Sequence, residues 1–558
     1  MVAGRLVVAL VLVAVGACGG GESAPADAVA DARPDAADGA DGADAADGAD
    51  GAEVVTPSCP QVVRQYVEIP ADPAPPNPVT GAETPPEFNV VRYIRYRAET
   101  GTAPPAEVDA ILVVAPGFTV GSGYLSYMAQ SLVAQSCGRV EVWLTERRHH
   151  LLEDPTGMNA AEAARDPRLA YGYYFEGAAV GGRTFAGILD AKGKGSEILS
   201  EWGLEIALKD LRRVIEQVPV AARQASVFLG GHSRGVAYVQ AYAAYEFEPG
   251  HLGCDDLAGL VLIDGDSRYD EAMTEAAYLE RLKRIREGST PRYVNVPPAS
   301  PEIYVFLEIL ALAASDDVAT PGDPELGPDG QFGTLGPLQS LAPLLFRGLD
   351  IKMTNEAFWG FAADTESAIL DILRSGLGKL DGATEVDELG AYPSDEGHLY
   401  RWKHYDQVEP AEFCEIQDLL HALYAGPSNA PDPYYAARLD QDFYVADRMD
   451  TEGTWREAYF PLRASAMNAP VYVLGSRLLS GEPERVTDYR DRIAPVRGQS
   501  LPRSEYGFEV SWKPEWEHID TVFAVAETNP FFADVTAWMQ RFSAGGVQVP
   551  EHGGPWGW

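Results

Sequence analysis

Residues 229–235, Leu-Gly-Gly-His-Ser-Arg-Gly, restrict the fold of this 558-residue chain more than any other segment. They contain the pentapeptide Gly-x-Ser-x-Gly with Ser233 at its centre. An apolar, β-prone run (ASVFLGG) precedes the pentapeptide, and small and aromatic residues at helical spacing (VAYVQAYAAYEF) follow it. A serine at such a strand-to-helix turn exposes its hydroxyl, and the flanking glycines let backbone pass closely on both sides. The context therefore predicts that Ser233 is a nucleophile; the alternative is a structural serine in a glycine-rich turn.

Short apolar runs alternate with helical patterns on both sides of this turn. AILVVAPGF, VEVWLTE and LAGLVLIDG are continuous apolar runs, as expected of strands buried on both faces. FNVVRYIRYRAE alternates instead and predicts an early antiparallel strand or hairpin. Between the runs, YLSYMAQSLVAQ and EWGLEIALKDLRRVIEQV have helical patterns, the second with one apolar stripe. This order predicts an α/β protein with a mostly parallel sheet flanked by helices.

The alternation stops after Asp266 and resumes with the apolar run APVYVLGS at residues 469–476. The intervening segment contains helical patterns and Pro/Gly-rich links, without strand patterns. We therefore expect a large, mainly helical cap at 267–468, inserted after the strand that follows the Ser233 helix. The core then comprises residues 58–266 and 469–545, and residues 546–558 form a flexible tail.

The N-terminus has the features of an export signal. A cation, an apolar run and small residues precede Cys18, which predicts a signal peptide over residues 1–17. The tetrad Val-Gly-Ala-Cys resembles the lipobox of bacterial lipoproteins, which makes Cys18 the expected lipidation site; an ordinary signal peptide cleaved near Ala17 is the alternative. Residues 18–57 are an Ala/Asp/Gly-rich tether with too few apolar groups to fold. The expected location is the bacterial cell envelope, with a lipid anchor in the membrane.

Charge and cysteine content narrow the classes of partner. A formal net charge of −40 argues against nucleic acid, whose phosphates would be repelled. Export permits disulfides, and Cys59, Cys137, Cys254 and Cys414 allow three pairings that the sequence leaves open. No cysteine or histidine spacing indicates a zinc site, and no phosphate-binding loop is present, so no metal or cofactor is expected.

The order of these elements resembles the α/β-hydrolase fold superfamily over most of residues 85–545. The resemblance implies a serine hydrolase, similar to esterases and lipases, that uses a catalytic triad. In that family the loop between the last strand and the last helix supplies the catalytic imidazole, which here is His518 in KPEWEHIDTVF. The alternative is a surface histidine in a charged loop.

The triad acid departs from the commonest family position. After VYVLG, where an acid is usual, this chain has Ser476 and Arg477. The resemblance allows another placement, the end of the strand GLVLID, which favours Asp264. Asp266, Glu482 and Glu484 are the alternative acids, and Asp264 as a loop cap is the structural alternative.

The same resemblance implies an oxyanion hole made of two backbone N–H groups. One belongs to Arg234, directly after the nucleophile, and the other to the loop Ala-Pro-Gly-Phe-Thr after an early strand. Phe118 is the favoured second donor and Thr119 the next. Alternatively, this loop is only a glycine-containing strand end.

The sequence thus predicts an exported serine hydrolase that cleaves small-molecule or lipid esters through an acyl-enzyme on Ser233. A peptidase or amidase with the same triad is one alternative. An inactive hydrolase-fold lipoprotein that binds a ligand is another. The oligomeric state is left open.

Overall fold

The computed structural model describes residues 59–99, 108–265, 273–295, 300–316, 318, 330, 352–364, 375–386, 390–392, 397–404, 416–424, 429–446, 450–476, 508–524 and 529–544. The expected signal peptide, lipidation site, tether and tail, the alternative acids Asp266, Glu482 and Glu484, and Cys414 lie outside these residues.

Eight strands form the central sheet. They are β1 (Val62–Pro70), β2 (Val90–Ala98), β3 (Ala110–Ala115), β4 (Val140–Thr145), β5 (Val227–His232), β6 (Gly259–Ile263), β7 (Val471–Ser476) and β8 (Phe508–Lys513). Their spatial order is β1-β2-β4-β3-β5-β6-β7-β8. β2 pairs antiparallel with β1 and β4, and every other neighbouring pair is parallel. The prediction of a mostly parallel sheet is confirmed.

Thirteen α-helices lie in the described part of the chain. They are α1 (Ser126–Gln135), α2 (Thr156–Ala164), α3 (Pro167–Phe175), α4 (Leu204–Ile215), α5 (Val220–Ser226), α6 (Arg234–Ala244), α7 (Glu275–Glu287), α8 (Pro301–Ala314), α9 (Asn355–Ala363), α10 (Ile416–Tyr424), α11 (Ala437–Ala446), α12 (Asp520–Phe523) and α13 (Pro530–Phe542). None of these helices is long and apolar enough to span a membrane.

Helices cover both faces of the sheet, which explains the continuous apolar runs. All six residues of β3 are buried, and alternate side chains belong to different cores. Leu112 packs in the core that contains α1 and α13, whereas Val113 packs in the core that contains α4 and α6. Because successive strand residues point to opposite faces, a strand covered on both sides must be apolar throughout.

The segment inserted between β6 and β7 contains α7 to α11 and is mainly helical in its described part. It also has three two-stranded ladders, which join 379–380 to 402–403, 384–386 to 390–392 and 352–353 to 399–400. The sequence showed no sign of these strands, because two or three residues are too few to establish an alternating pattern.

One disulfide closes the edge of the core. It joins Cys59, just before β1, to Cys137, just after α1. Cys254 is buried and is not part of this disulfide. β1 itself was absent from the sequence prediction, and it pairs along its whole length with β2.

Candidate active site

Ser233 occupies a sharp turn between β5 and α6. Its φ of 57° and ψ of −124° lie in a region that residues other than glycine rarely adopt. Added Cβ atoms would collide with Gly235 if placed on Gly231, and with the carbonyl oxygen of Ala115 if placed on Gly235. Both glycines of the pentapeptide are therefore required, because helix α6 and strand β3 approach the turn too closely for any side chain.

His518 and Asp264 form a buried pair at the same edge of the sheet. His518 Nδ1 lies 2.6 Å from Asp264 Oδ2, although 254 residues separate the two in sequence. Asp264 directly follows β6, and His518 lies between β8 and α12. Ser476, the last residue of β7, donates its backbone N–H to Oδ1 and its hydroxyl to Oδ2 of Asp264, each over 2.6 Å. The carboxylate thus has three donors, which fix its position.

These hydrogen bonds assign the tautomer of His518. Because the Asp264 carboxylate can only accept, the shared proton belongs to Nδ1 and leaves Nε2 with its lone pair. In the described structure neither His518 Nε2 nor Ser233 Oγ, both buried, makes a hydrogen bond. An imidazole with a free lone pair and a serine hydroxyl are the two groups that a base-assisted attack needs.

His232, next to Ser233, has a different environment. Its Nε2 donates to the carbonyl of His518 over 3.2 Å, and its Nδ1 accepts from the hydroxyl of Tyr124 over 2.9 Å. Burial, followed by the nearby charge of His518, lowers the pKa of His232 well below its usual value. The ring therefore stays neutral, and it stacks on His518 with centroids 4.5 Å apart.

The loop after β3 lies directly beside Ser233. A Cβ on Gly117 would be 3.4 Å from Cβ of Ser233. Phe118 follows Gly117, and Arg234 is the first residue of α6, where helix N–H groups have no partner inside the helix. The structure thus places the loop that contains Phe118, and the helix start at Arg234, next to Ser233; their role as oxyanion donors stays a prediction.

Arg147, just after β4, holds the carbonyl side of this loop. Its buried guanidinium donates to the carbonyl oxygens of Pro116 (3.0 Å), Gly117 (2.8 Å) and Val120. Tyr435 and Tyr238 lie against the guanidinium, with ring centroids 4.9 and 5.6 Å away. With these carbonyl groups fixed by one cation, the peptide planes of the loop are fixed as well.

The inserted segment covers the same loop. The backbone N–H of Asp432 donates to the carbonyl of Thr119 over 2.9 Å, and Val120 forms a β-bridge with Pro431. Tyr435 packs edge-on against Phe118, with ring centroids 4.8 Å apart. Ser233 itself is only 1% exposed, so these contacts close the site.

Sequence reasoning missed Ser476, Arg147, Tyr124 and Asp432. Arg147 belongs to the segment WLTERRHHLLEDP. Nothing in that segment indicated that Arg147 would reach a loop some 30 residues away. Ser476 occupies the position where an acid was sought, so a polar residue there was the available signal.

The order β1-β2-β4-β3-β5-β6-β7-β8, with a serine turn after β5, an acid after β6 and a histidine after β8, decides the fold. The chain has the α/β-hydrolase fold. No family model matches the sequence, and no curated protein matches it.

Several solved structures are similar to this α/β-hydrolase chain. One is a protein of Sulfolobus solfataricus, with 12% identity over 87% of this chain and 98% of that one, at a TM-score of 0.42. Another is the peroxisomal α/β-hydrolase Lpx1 of Saccharomyces cerevisiae, with 10% identity over 86% and 88% of the two chains, at a TM-score of 0.35. At these identities the likeness concerns the fold alone.

Proposed function

We propose that this α/β-hydrolase-fold chain is a serine hydrolase that cleaves carboxylic esters or lipids through an acyl-enzyme on Ser233. The observation that carries the proposal is the buried His518–Asp264 pair of 2.6 Å. The Asp264 carboxylate accepts hydrogen bonds from three donors. Nε2 of His518 keeps its lone pair and lies at the same edge of the sheet as Ser233. A structural histidine would be expected to use both ring nitrogens.

The proposed reaction has two halves. Ser233 Oγ attacks the ester carbonyl carbon while its proton passes to His518 Nε2, and Asp264 stabilises the resulting imidazolium. The N–H groups of Phe118 and Arg234 bind the oxyanion. The intermediate collapses to acyl-Ser233, and the leaving alcohol takes the proton from His518. A water then attacks the acyl carbonyl carbon and gives its proton to Nε2. As the second intermediate collapses, Ser233 Oγ leaves and takes that proton from Nε2, which releases the carboxylic acid.

The neutral state of His232 favours this cycle. Its ring stacks on His518, so a charge on it would oppose formation of the His518 imidazolium. Burial lowers the pKa of His232 and keeps that charge away.

Aromatic groups around the nucleophile favour apolar acyl groups. Phe118 contacts Tyr435, and the guanidinium of Arg234 lies between the rings of Phe118 and Phe443, at 5.6 and 5.5 Å from their centroids. Since Ser233 is buried, substrate must displace part of the inserted segment to reach it. A lipid surface would supply the apolar contacts that such an opening exposes.

Export and lipidation of Cys18 complete the proposal. An anchor at the envelope would keep the enzyme beside lipid esters, since several acyl chains on one cysteine hold a protein stably to a bilayer. The sequence of residues 1–18 supports this location. Incorporation of a labelled fatty acid, abolished by Cys18→Ala, is the expected result.

A fluorophosphonate probe tests the chemistry directly. Purified protein is exposed to the probe with and without phospholipid vesicles, beside its Ser233→Ala variant. Labelling of the parent alone is the expected result, and absence of labelling of the folded parent in both conditions would favour an inactive binding protein. The geometry suits amides equally, so turnover is compared on esters of increasing chain length and on peptides. Faster peptide cleavage would contradict the ester preference.

A further inference from the structure

The segment after β4 carries a second cluster of ionisable groups. It lies near the loop of residues 116–120 after β3, which is called the oxyanion loop from here on. One donor atom each of His150, Glu153 and Asp432 lies within 4.8 Å of the other two. His150 Nδ1 is 3.2 Å from Glu153 Oε1, and His150 Nε2 is 3.8 Å from Asp432 Oδ2. The triad proposed above uses none of these side chains.

Two atoms of the cluster have unused hydrogen-bonding capacity. His150 Nε2 and Glu153 Oε1 are both buried, and neither makes a hydrogen bond of acceptable geometry in the described structure. The His150 side chain is only 6% exposed. A buried polar atom without a partner destabilises the fold, so these two atoms point to a ligand that would satisfy both.

The spacing between Nε2 of His150 and the carboxylate of Asp432 fits one shared ion better than hydrogen bonding. Hydrogen-bonded nitrogen and oxygen atoms lie about 2.7–3.2 Å apart. Two ligands of one tetrahedral zinc ion, each about 2.1 Å from the metal, lie about 3.4 Å apart. The distance of 3.8 Å from His150 Nε2 to Asp432 Oδ2 is too long for the first and close to the second.

Charge in the cluster also calls for a cation. Glu146 Oε2 lies 3.6 Å from His150 Nε2, and Glu308 lines the same small cavity as Glu153. Glu146, Glu153 and Asp432 therefore lie around His150. Asp432 Oδ2 also lies 3.4 Å from the guanidinium of Arg147 and 2.7 Å from Nδ1 of His149. The neighbouring cavity offers about 30 Å³ to the centres of water-sized molecules, enough to hydrate an ion.

We infer that His150, Glu153 and Asp432 form a binding site for a divalent transition-metal ion, with zinc the best match to one imidazole and two carboxylates. Calcium is a poorer match because it prefers oxygen ligands alone. The residue spacing in sequence showed no such site, because Asp432 comes from the inserted segment, about 280 residues after the other two.

The site would fasten the inserted segment to the core. Asp432 donates its backbone N–H to Thr119 of the oxyanion loop, and Gly121 N–H donates to Ala430 over 2.6 Å. Bound metal would also join the side chain of Asp432 to His150 and Glu153, which follow β4. Its role is structural and independent of whether Ser233 acts as a nucleophile.

Metal content and thermal stability of the full-length protein test the site without any activity assay. The protein is purified in detergent without chelators, and its zinc is measured by plasma emission spectroscopy. About one zinc per chain is expected. EDTA should lower Tm by about 5 °C, and zinc but not calcium should restore it.

His150→Gln supplies the variant and His251→Gln the control, since His251 forms a surface pair with Asp256 at 3.1 Å away from the cluster. The first should lose zinc and show no change of Tm with EDTA, whereas the second should behave as the parent. If His150→Gln fails to fold, the zinc content of the parent and its Tm with and without EDTA decide the question. A parent that holds no zinc, and whose Tm is the same with EDTA, zinc or manganese, would overturn the site.

Discussion

Ser476 donates both its backbone N–H and its hydroxyl to Asp264, so the last residue of one strand fixes the carboxylate that follows the neighbouring strand. β6 and β7 are adjacent and parallel, with Ile263 opposite Leu474, which brings the two residues together. Ser476 stands where the commonest family position has an acid. The carboxylate that pairs with His518 thus follows β6, and Ser476 at the end of β7 supports it.

Ser476→Ala removes the hydroxyl donor and leaves a buried carboxylate with one hydrogen bond fewer. A hydrogen bond to a charged group contributes about 1.5–3 kcal/mol, so we expect stability to fall by about 2 kcal/mol and kcat by roughly tenfold. Urea unfolding and ester turnover measure the two effects. Ser136→Ala removes a buried hydroxyl that donates to a backbone carbonyl over 3.0 Å far from the site, and should leave turnover unchanged.

Asp264→Asn keeps the shape of the side chain but removes the charge that holds the proton on Nδ1 of His518. We expect kcat to fall by about 10³–10⁴-fold with the fold retained. The double variant Asp264→Ser with Ser476→Asp should recover at least roughly tenfold over Asp264→Ser alone, because the carboxylate returns to the same cluster.

Ester turnover by the Asp264 variants and the far-UV circular dichroism spectra of the purified proteins are the measurements. Asp256→Asn, at the surface histidine pair, is the matched control and should turn over normally. Near-normal activity of Asp264→Asn would assign the acid to Asp266, Glu482 or Glu484 instead.

Arg147→Lys removes the fork that binds three carbonyl groups of the oxyanion loop, because an ammonium cannot reproduce that planar geometry. We expect kcat to fall by about 10–100-fold with KM nearly constant, since the loop binds the oxyanion and not the ground state. This loss is smaller than the roughly 10²–10³-fold effect of removing one donor.

Arg148→Lys controls for the loss of a buried arginine. Arg148 pairs with Asp210 at 2.6 and 2.7 Å and makes no contact with the loop in the described structure. The Arg148→Lys variant should lose about as much stability as Arg147→Lys, while its kcat should stay at the parent value. Equal kcat losses in the two variants would mean that Arg147 acts only through overall stability.

The lowered pKa of His232 predicts a pH-dependent stability. The unfolded chain binds a proton at this residue below about pH 6.5, while the folded state does not, so stability falls as pH falls. Between pH 7.5 and 5.5 this group should contribute a loss of about 1.4 kcal/mol. His232→Gln should lack that contribution, whatever its stability at pH 7.5.

Urea unfolding of both proteins at the two pH values measures the difference. Taking the parent minus the variant cancels the contributions of other titrating groups. A difference near zero would show that His232 accepts a proton in the folded state.

Much of the fold could be predicted because its signals are local. The buried runs that became β3 and β6 are apolar throughout, and those of β4 and β7 are mostly apolar, since helices cover both faces of the sheet. The sharp turn at Ser233 could be predicted from seven consecutive residues, because only glycine fits at positions 231 and 235. β1 and the short ladders of the insertion escaped prediction, because their partners and not their own patterns define them.

The sequence by itself determined the alternation of strands and helices and the turn at Ser233, and it left the acid open among four candidates. The alternation and the turn each depend on residues within about 20 positions of one another. Only the tertiary structure decided that Asp264 reaches His518, 254 residues away. It also decided that the Ser476 hydroxyl donates a second hydrogen bond to the same carboxylate oxygen. It also decided that Arg147 and Asp432, 285 residues apart, hold the oxyanion loop from two sides. Contacts over such separations depend on how the sheet and the insertion pack, and no local pattern encodes them.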